Sequence, residues 1–366
     1  MALAACGETQ DKPANPSTGG GGNAGASSSG SGNTAGGNAG KSPGGSVNAG
    51  SGGTTAGTQP MTEGGASSDG GAGSDGGKTA VAPPELTWKK EGAPLASKIW
   101  GSSANDIYAA GDLGDVQHSL GDGQWKKQTS DTGAKLTGVW GSGPTDIYIA
   151  ADSNFVMHST GDGVWKHDNF MLGTTFYGVW GSGPKDVYAF KGGYHHGTGV
   201  GMWTVQPTAV GLNEPIVDMW GSSATNVYAL GGSQYLYHSK GDGTDWMTEQ
   251  PGGDNFAGVF AGISGSSATD VFVVSNTQLF HSTGDGKWLE QKLPREDKNV
   301  LSSVYALNAT AAYVGSEGVL FRSGGDGRWV AQVIDPGTPS IFGIWGTSPT
   351  NLYVATSFGI YHGTPQ

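Results

Sequence analysis

The stretch GVWGSGPTDIYIAADSNFVMHSTGDGVW, from Gly138 to Trp165, recurs at a spacing near forty residues through nearly everything after residue 80. Two landmarks mark each copy. The first is an aromatic-Gly-Ser step at Trp100, Trp140, Trp180 and Trp220, with Ser264 and Tyr305 as degenerate copies and Trp345 as the last. The second is a Gly-Asp-Gly-x-Trp step ending at Trp125, Trp165, Trp203, Trp246, Trp288 and Trp329. The first landmark has seven copies and the second six; the missing tryptophan of the second set is Trp88, at the other end of the domain. A period of this length is one supersecondary unit that cannot bury its apolar face alone, so neighbouring copies must stack.

Within the second copy the sequence predicts four short strands: a over 136–141, b over 146–151, c over 155–159 and d over 164–168. Gly-Ser-Gly-Pro-Thr and Thr-Gly-Asp-Gly supply the a–b and c–d turns. Ile147-Tyr148-Ile149-Ala150 does not alternate with polar residues, which requires cover on both faces of the sheet. Antiparallel four-stranded units covered on both sides by copies of themselves are propeller blades. The predicted fold is therefore an all-β, seven-bladed propeller. The seventh copy ends at Gln366 without its tryptophan strand, whereas residues 85–91 have a tryptophan strand without a blade. Residues 85–91 are expected to complete the last blade beside 359–362 and so close the ring.

Composition separates this domain, residues 81–366, from what precedes it. Residues 7–80 are Gly, Ser, Thr, Ala and Asn with almost no large apolar side chain, a composition that cannot offset the entropy of ordering. They read as a disordered tether with a reach of roughly 50 Å. The single cysteine, Cys6, excludes an intrachain disulfide and a cysteine-based metal site. Leu3-Ala4-Ala5-Cys6 resembles a bacterial lipobox, so residues 1–6 read as the remnant of a lipoprotein signal and Cys6 as the acylated residue. The resemblance implies an outer-membrane or cell-surface lipoprotein, a periplasmic or extracellular domain, and membrane contact only through that anchor. The formal charge of -12 disfavours nucleic acid as a partner. A monomer is expected.

The Gly-Asp-Gly turns carry Asp122, Asp162, Asp242, Asp285 and Asp326. Their aspartates can accept backbone N–H groups while the glycines take positive φ, which is a structural role. No following helix or ladder of carboxylates points to phosphate or calcium. At Ser159-Thr-Gly-Asp162-Gly163-Val-Trp165 the chain resembles the Asp-box or bacterial-neuraminidase-repeat propellers, and it is similar to the propellers of photosystem assembly factors. The offsets from Ser to Asp and Trp are three and six, where the usual Asp-box has two and seven. His118, His158, His196, His238, His281 and His362 hold one repeat position, with Arg322 in the sixth copy, so they cannot share one ion. No metal and no cofactor is expected.

The neuraminidase resemblance raises a sialidase-like hydrolase, which would need a three-arginine clamp. The chain holds only Arg295, Arg322 and Arg328, the last two at expected peripheral positions. An ordinary glycosidase needs two facing carboxylates, for which Glu214, Asp254, Glu296, Asp297 and Glu317 are available. No catalytic residue is assigned. The b–c and d–a connections vary between copies while the a–b and c–d turns do not, so one face is individualised, and loops on a rigid scaffold are where binding residues usually sit. That face is expected to carry Phe155, Tyr194, His195, Tyr235, Gln278 and Phe358 from b–c connections, and Phe170, Asn213, Asp254, Phe256 and Arg295 from d–a connections. The expected function is non-catalytic binding or scaffolding of a protein or glycan partner. A multivalent lectin is the alternative, and it predicts several equivalent sites at the repeated positions.

Overall fold

A computed structural model describes residues 80–366, apart from 94–95, 171–174, 192–193, 200, 202, 206–213, 241–244, 254–255, 257, 297–298, 336 and 338–339. Cys6, Asn213, Asp242 and Asp254, with the tether, lie outside the described residues. The described chain forms seven four-stranded antiparallel sheets. In chain order their first strands, a, are Ala96–Ser103, Leu136–Gly143, Gly178–Gly183, Ile216–Ser223, Phe260–Ser267, Ser303–Asn308 and Ile341–Ser348. Each strand a touches the strands a of the two flanking sheets, and the seventh touches the first, so the blades form a closed ring with strands a around its axis.

Blade 2 shows how the local pattern becomes structure. Its strands span Leu136–Gly143, Asp146–Ala151, Phe155–Ser159 and Lys166–Asn169, which differ from the sequence expectation only at the ends of a and d. Strand b is buried along nearly its whole length, as its unbroken apolar run required. Tyr148 lies opposite Trp140 on strand a and His158 on strand c, so a row of rings crosses the blade. The Tyr148 and His158 centroids are 4.6 Å apart, and Trp203 of the next blade meets Tyr148 edge-on at 6.2 Å.

The aromatic-Gly step is an inter-blade contact. A Cβ on Gly141 would lie 2.6 Å from the Trp100 ring, and one on Gly181 would lie 2.6 Å from Trp140. Gly221 and Gly265 stand in the same relation to Trp180 and Trp220, and Gly101 to Trp345 across the ring closure. Each indole therefore occupies the space a side chain would need on the next blade. Blade 5 has Ser264 in place of the tryptophan, and there the following blade replaces glycine with Ala306, whose N–H donates to Ser264 Oγ at 3.0 Å. Tyr305 reaches Gly346 differently, donating its hydroxyl to the Gly346 carbonyl at 2.9 Å.

A second latch runs between strands d. Trp165 Nε1 donates to Gln128 Oε1 at 2.8 Å, Trp203 to Asp168 at 2.9 Å, Trp288 to Glu249 at 2.7 Å and Trp329 to Gln291 at 2.7 Å. Trp125 donates to Glu91 at 3.1 Å, which carries the latch across the closure. Each acceptor lies three residues after the tryptophan of its own strand.

The ring closes as the sequence implied. Strand Thr87–Lys90 pairs antiparallel with Gly359–Thr364, placing Trp88 opposite Gly363 and Lys90 opposite Tyr361. Blade 6 holds the approach to this strand. Gln332 bonds both the Leu86 N–H and its carbonyl, Arg322 donates to the Pro83 carbonyl, and Arg322 Nη2 lies 3.8 Å from Glu85.

Two outcomes test this account. Ser264→Trp alone should destabilise the domain by about 1–3 kcal/mol through overpacking against Ala306. Adding Ala306→Gly should recover most of that loss, and strictly additive effects in a denaturant-melt double-mutant cycle would refute the seam. Deleting residues 85–91 should open the ring and promote aggregation, whereas full solubility with unchanged melting would overturn the closure.

Candidate functional site

Irregularities at the start of strand a build the mouth of the axial channel. In five blades the pairing of a with b slips by one residue there, at Ser97, Thr137, Val217, Ala261 and Phe342. A bulge re-aims the side chain at the extra position. Ser97, Thr137 and Phe342, with Tyr177 from the corresponding place in blade 3, line a cavity of about 250 Å³ together with Lys98 and Lys135. Tyr177 and Phe342 are 45% and 38% exposed, large for aromatic rings on a folded domain. Because strands a begin here, the mouth opens on the face that carries the d–a and b–c connections.

The residue two before the landmark aromatic points into the channel below. That column reads Lys98, Gly138, Gly178, Asp218, Gly262, Ser303 and Gly343, so only blades 1 and 4 place a charge in it. A smaller cavity of about 140 Å³ is lined by Lys98, Thr137, Tyr177, Phe190 and Asp218 among others. Asp218 accepts the N–H of Ile263 at 3.0 Å and of Met219 at 2.9 Å. Burial nevertheless pushes its carboxyl up to about 6, against the opposing effects of those two bonds and of Lys98. Burial pushes the Lys98 ammonium down, with Lys135 adding to the effect and Asp218 opposing it. No hydrogen bond or ion pair engages Lys98 Nζ among the described residues, whereas Lys135 Nζ lies 3.5 Å from Asp112 at the surface.

The loop residues that the sequence assigned to the binding face are mostly turned into the blades. Phe155 is 8% exposed and stacks on His167 at 4.4 Å, and Tyr194 is 3% exposed and packs against Trp246. Phe170 meets Phe176 and His195 edge-on at 4.8 Å each, and Phe256 lies 4.6 Å from Phe260. Burial pushes His195 down, with Lys191 contributing. Tyr235 packs on the core between blades 3 and 4 and Gln278 is half-buried, its carbonyl accepting from the Ser275 N–H. Arg295 braces two loops by donating to the carbonyls of Asn299 and Thr277. Phe358 is 51% exposed, with Lys90 Nζ 5.8 Å from its ring centre. The expectation of a face of exposed aromatics gives way to a smaller cluster at the mouth, because the rings of Phe155 and Tyr194 open strands c and those of Phe170 and Phe256 pack against neighbouring rings.

On the opposite face, which holds cavities of about 240 Å³ beside Asp162 and about 580 Å³ beside Asp326, the repeated polar groups are bonded within the protein. Asp122, Asp162, Asp285 and Asp326 each accept the N–H two residues on, at 2.9–3.0 Å. The glycine before each has positive φ, and a Cβ at Gly161 would lie 2.2 Å from the Pro144 carbonyl oxygen. On the same side, His118 Nε2 pairs with Asp106 at 2.8 Å, His158 with Asp146 at 2.8 Å, His196 with Asp186 at 2.7 Å and His281 with Asp270 at 2.9 Å. Ser102, Ser142, Ser182 and Ser266 donate to the second oxygens of those carboxylates at 2.5 Å. In blades 4 and 7 asparagine replaces the aspartate, and the carboxylate moves to strand d: His238 Nδ1 lies 2.8 Å from Glu249 and His362 Nδ1 3.1 Å from Glu91. Serine, aspartate and histidine occur together, yet the aspartate stands between the other two. A nucleophilic triad needs the serine on the histidine.

Other catalytic arrangements also lack their parts among the described residues. Glu214 accepts the N–H groups of Ser233 and Tyr235 and so braces a loop, and Glu317 is exposed, with its backbone bridged to Ser340. Glu296 is exposed, and Asp297 lies outside the described residues. Of the described residues lining the mouth and channel, Asp218 is the one carboxylate. Arg322 is buried under the N-terminal segment and Arg328 is exposed on an outer turn, so neither joins Arg295 in a clamp. No group of three metal-ligating side chains converges among the described residues.

No family model matches the chain. No curated protein matches it either. Solved structures do. The chain is similar to YCF48 bound to D1 peptide, with a TM-score of 0.65 at 11% identity over 79% of this chain and 97% of that one. It is similar to a catalytically inactive virginiamycin B lyase from Staphylococcus aureus with quinupristin, with a TM-score of 0.66 at 12% identity over 77% and 100%. The WD40 repeats of RRP9 give 0.64 at 10% identity over 78% and 99%. These likenesses show the propeller fold.

The titrating groups give opposite limbs to the stability profile. Burial raises Asp186 and Asp270, but hydrogen bonds from His196 and Ser182, and from His281 and Ser266, outweigh it and hold both below the ordinary 3.8. Their contribution is present above that value and is lost as pH falls through the lower folded value. Asp218 has the other sign: its raised folded value favours the fold below 3.8, and that contribution is lost as pH rises to about 6. Melting should therefore fall as pH drops below about 4 and also decline as pH rises from about 4 to 6. Asp218→Asn should flatten the second limb and leave the first, and an unchanged second limb in calorimetry would refute the assignment.

Proposed function

We propose that the chain is a non-catalytic binding propeller that engages a protein partner over the axial mouth. In this reading residues 7–80 act as the tether and Cys6 as the lipid anchor of an extracytoplasmic, surface-held domain. The observation that carries the reading is the contrast between the two ends of the ring. At one end Tyr177, Phe342, Lys98 and Lys135 surround an open cavity; at the other the repeated polar groups are bonded within the protein. Exposed aromatics beside lysines, on a rigid ring, are a composition suited to anchoring another chain. A lone channel carboxylate supports binding over glycoside hydrolysis. The internally bonded turns disfavour a multivalent lectin, which needs equivalent free groups in each blade. One of the similar propellers is bound to a peptide, in keeping with a protein ligand.

Site-specific photocrosslinking in cells tests this. A photoreactive residue at Tyr177 or Phe342 should capture a discrete protein, and one at Val164 on the opposite face should not. Equal capture from both faces, or saturable binding of several glycans per chain on an array, would overturn it. For the anchor, Cys6→Ser should abolish incorporation of a labelled fatty acid and release the chain from the membrane fraction.

A further inference from the structure

The mouth has a chemistry narrow enough to define what enters it. Its donors are the Lys98 and Lys135 ammonium groups and the hydroxyls of Ser97 and Tyr177, while Thr137 donates its hydroxyl to the Phe176 carbonyl at 2.8 Å. No carboxylate lines this cavity among the described residues. Asp218 lies deeper, with its two oxygens on the Met219 and Ile263 N–H groups, so it offsets part of the Lys98 charge without covering the ammonium. The half-buried Lys98 ammonium has no hydrogen-bond partner among the described residues and so is open to an anion brought to it.

Size and charge then select the anion. About 250 Å³ is below the usual range of small-molecule pockets and accommodates a side chain or a chain end rather than an oligosaccharide. The chain as a whole carries -12, which opposes a polyanion but allows a single carboxylate drawn in by two lysines. The cavity sits at the mouth against blades 7, 1, 2 and 3 and shares Lys98, Thr137 and Tyr177 with the cavity of about 140 Å³, so an internal segment would have to enter and leave through one opening. A free chain end need only enter. Tyr177 and Phe342 stand at the rim, where they would flank the apolar side chains next to that end.

We propose that the axial mouth captures the C-terminal carboxylate of a partner polypeptide, held by Lys98 and Lys135 with Tyr177 and Phe342 gripping the adjacent apolar residues. This rests on the binding reading above and specifies its ligand.

The test uses the full chain on paired arrays of soluble-tethered peptides randomised at their last four positions, one array ending in free carboxylates and its duplicate in amides. Free-acid peptides with apolar penultimate residues should be retained about tenfold better than their amides. Lys98→Gly, which installs the residue found at this position in blades 2, 3, 5 and 7, should erase that preference while leaving the fold intact, and Lys135→Ala at the exposed rim should weaken it. Equal retention of acids and amides, or a preference that survives Lys98→Gly, would overturn the proposal. If peptides bind without regard to their ends and Tyr177→Ala abolishes that binding, the carboxylate assignment fails and the wider binding reading stands. Retention of no peptide on either array defeats the carboxylate assignment, and the binding reading is then decided by the crosslinking. Acidic internal side chains in amidated peptides, and inorganic phosphate as competitor, separate the other anion sources; preferential capture of either would also overturn it.

Discussion

The ring depends on a contact in which one blade supplies a large flat ring and the next supplies nothing. An indole occupies the space over the following glycine, and Cβ distances of 2.5–2.7 Å show that even a methyl group would be excluded. This fixes the spacing between blades more strictly than burial alone, since apolar packing is non-directional. The d-strand latch adds direction, because a buried indole N–H needs an acceptor and finds it on the preceding blade. Where the first contact is absent, at Ser264, the neighbour has changed to match, which shows that the unit of constraint is the pair and not the residue.

Much of this was legible in the sequence because period and burial leave direct marks. The unbroken run Ile147–Ala150 announced a strand covered on both faces, and the unmatched Trp88 announced the closing strand. The pairing of tryptophan with the following blade's glycine was not legible, because the two residues sit forty apart in different copies. Ala306 beside Ser264 is its one visible trace, and it needs the structure to be understood. The charged lining was also hidden. Lys98 and Asp218 look like ordinary polar residues on half-exposed strands, and only alignment of the column two before the aromatic shows them as departures from glycine. The loop aromatics were read as exposed because connections usually are, yet Phe155 and Tyr194 are the first residues of strands c, and their rings pack into the protein instead of facing solvent.

The two faces divide the work of the molecule. At the a–b and c–d end, each histidine has a carboxylate whether that acid stands on strand b, as Asp146 does, or on strand d, as Glu249 does. The network keeps its charge balance while its parts exchange places, as expected when the requirement is satisfaction of buried polar groups and not a particular reaction. The mouth shows the opposite economy of groups, with an ammonium left without a bonded partner among the described residues and two rings left partly open to water.

Arg322 is the one member of the histidine column that is not an imidazole, and its reach has a mechanical consequence. It takes hold of Pro83, and Gln332 takes hold of Leu86, before the chain enters strand Thr87–Lys90. Traction applied from the direction of residue 80 is therefore met first by side chains of the sixth blade and only afterwards by the backbone ladder of the seventh. The load is shared across the joint that closes the ring, so the strand most exposed to peeling is shielded by its neighbour.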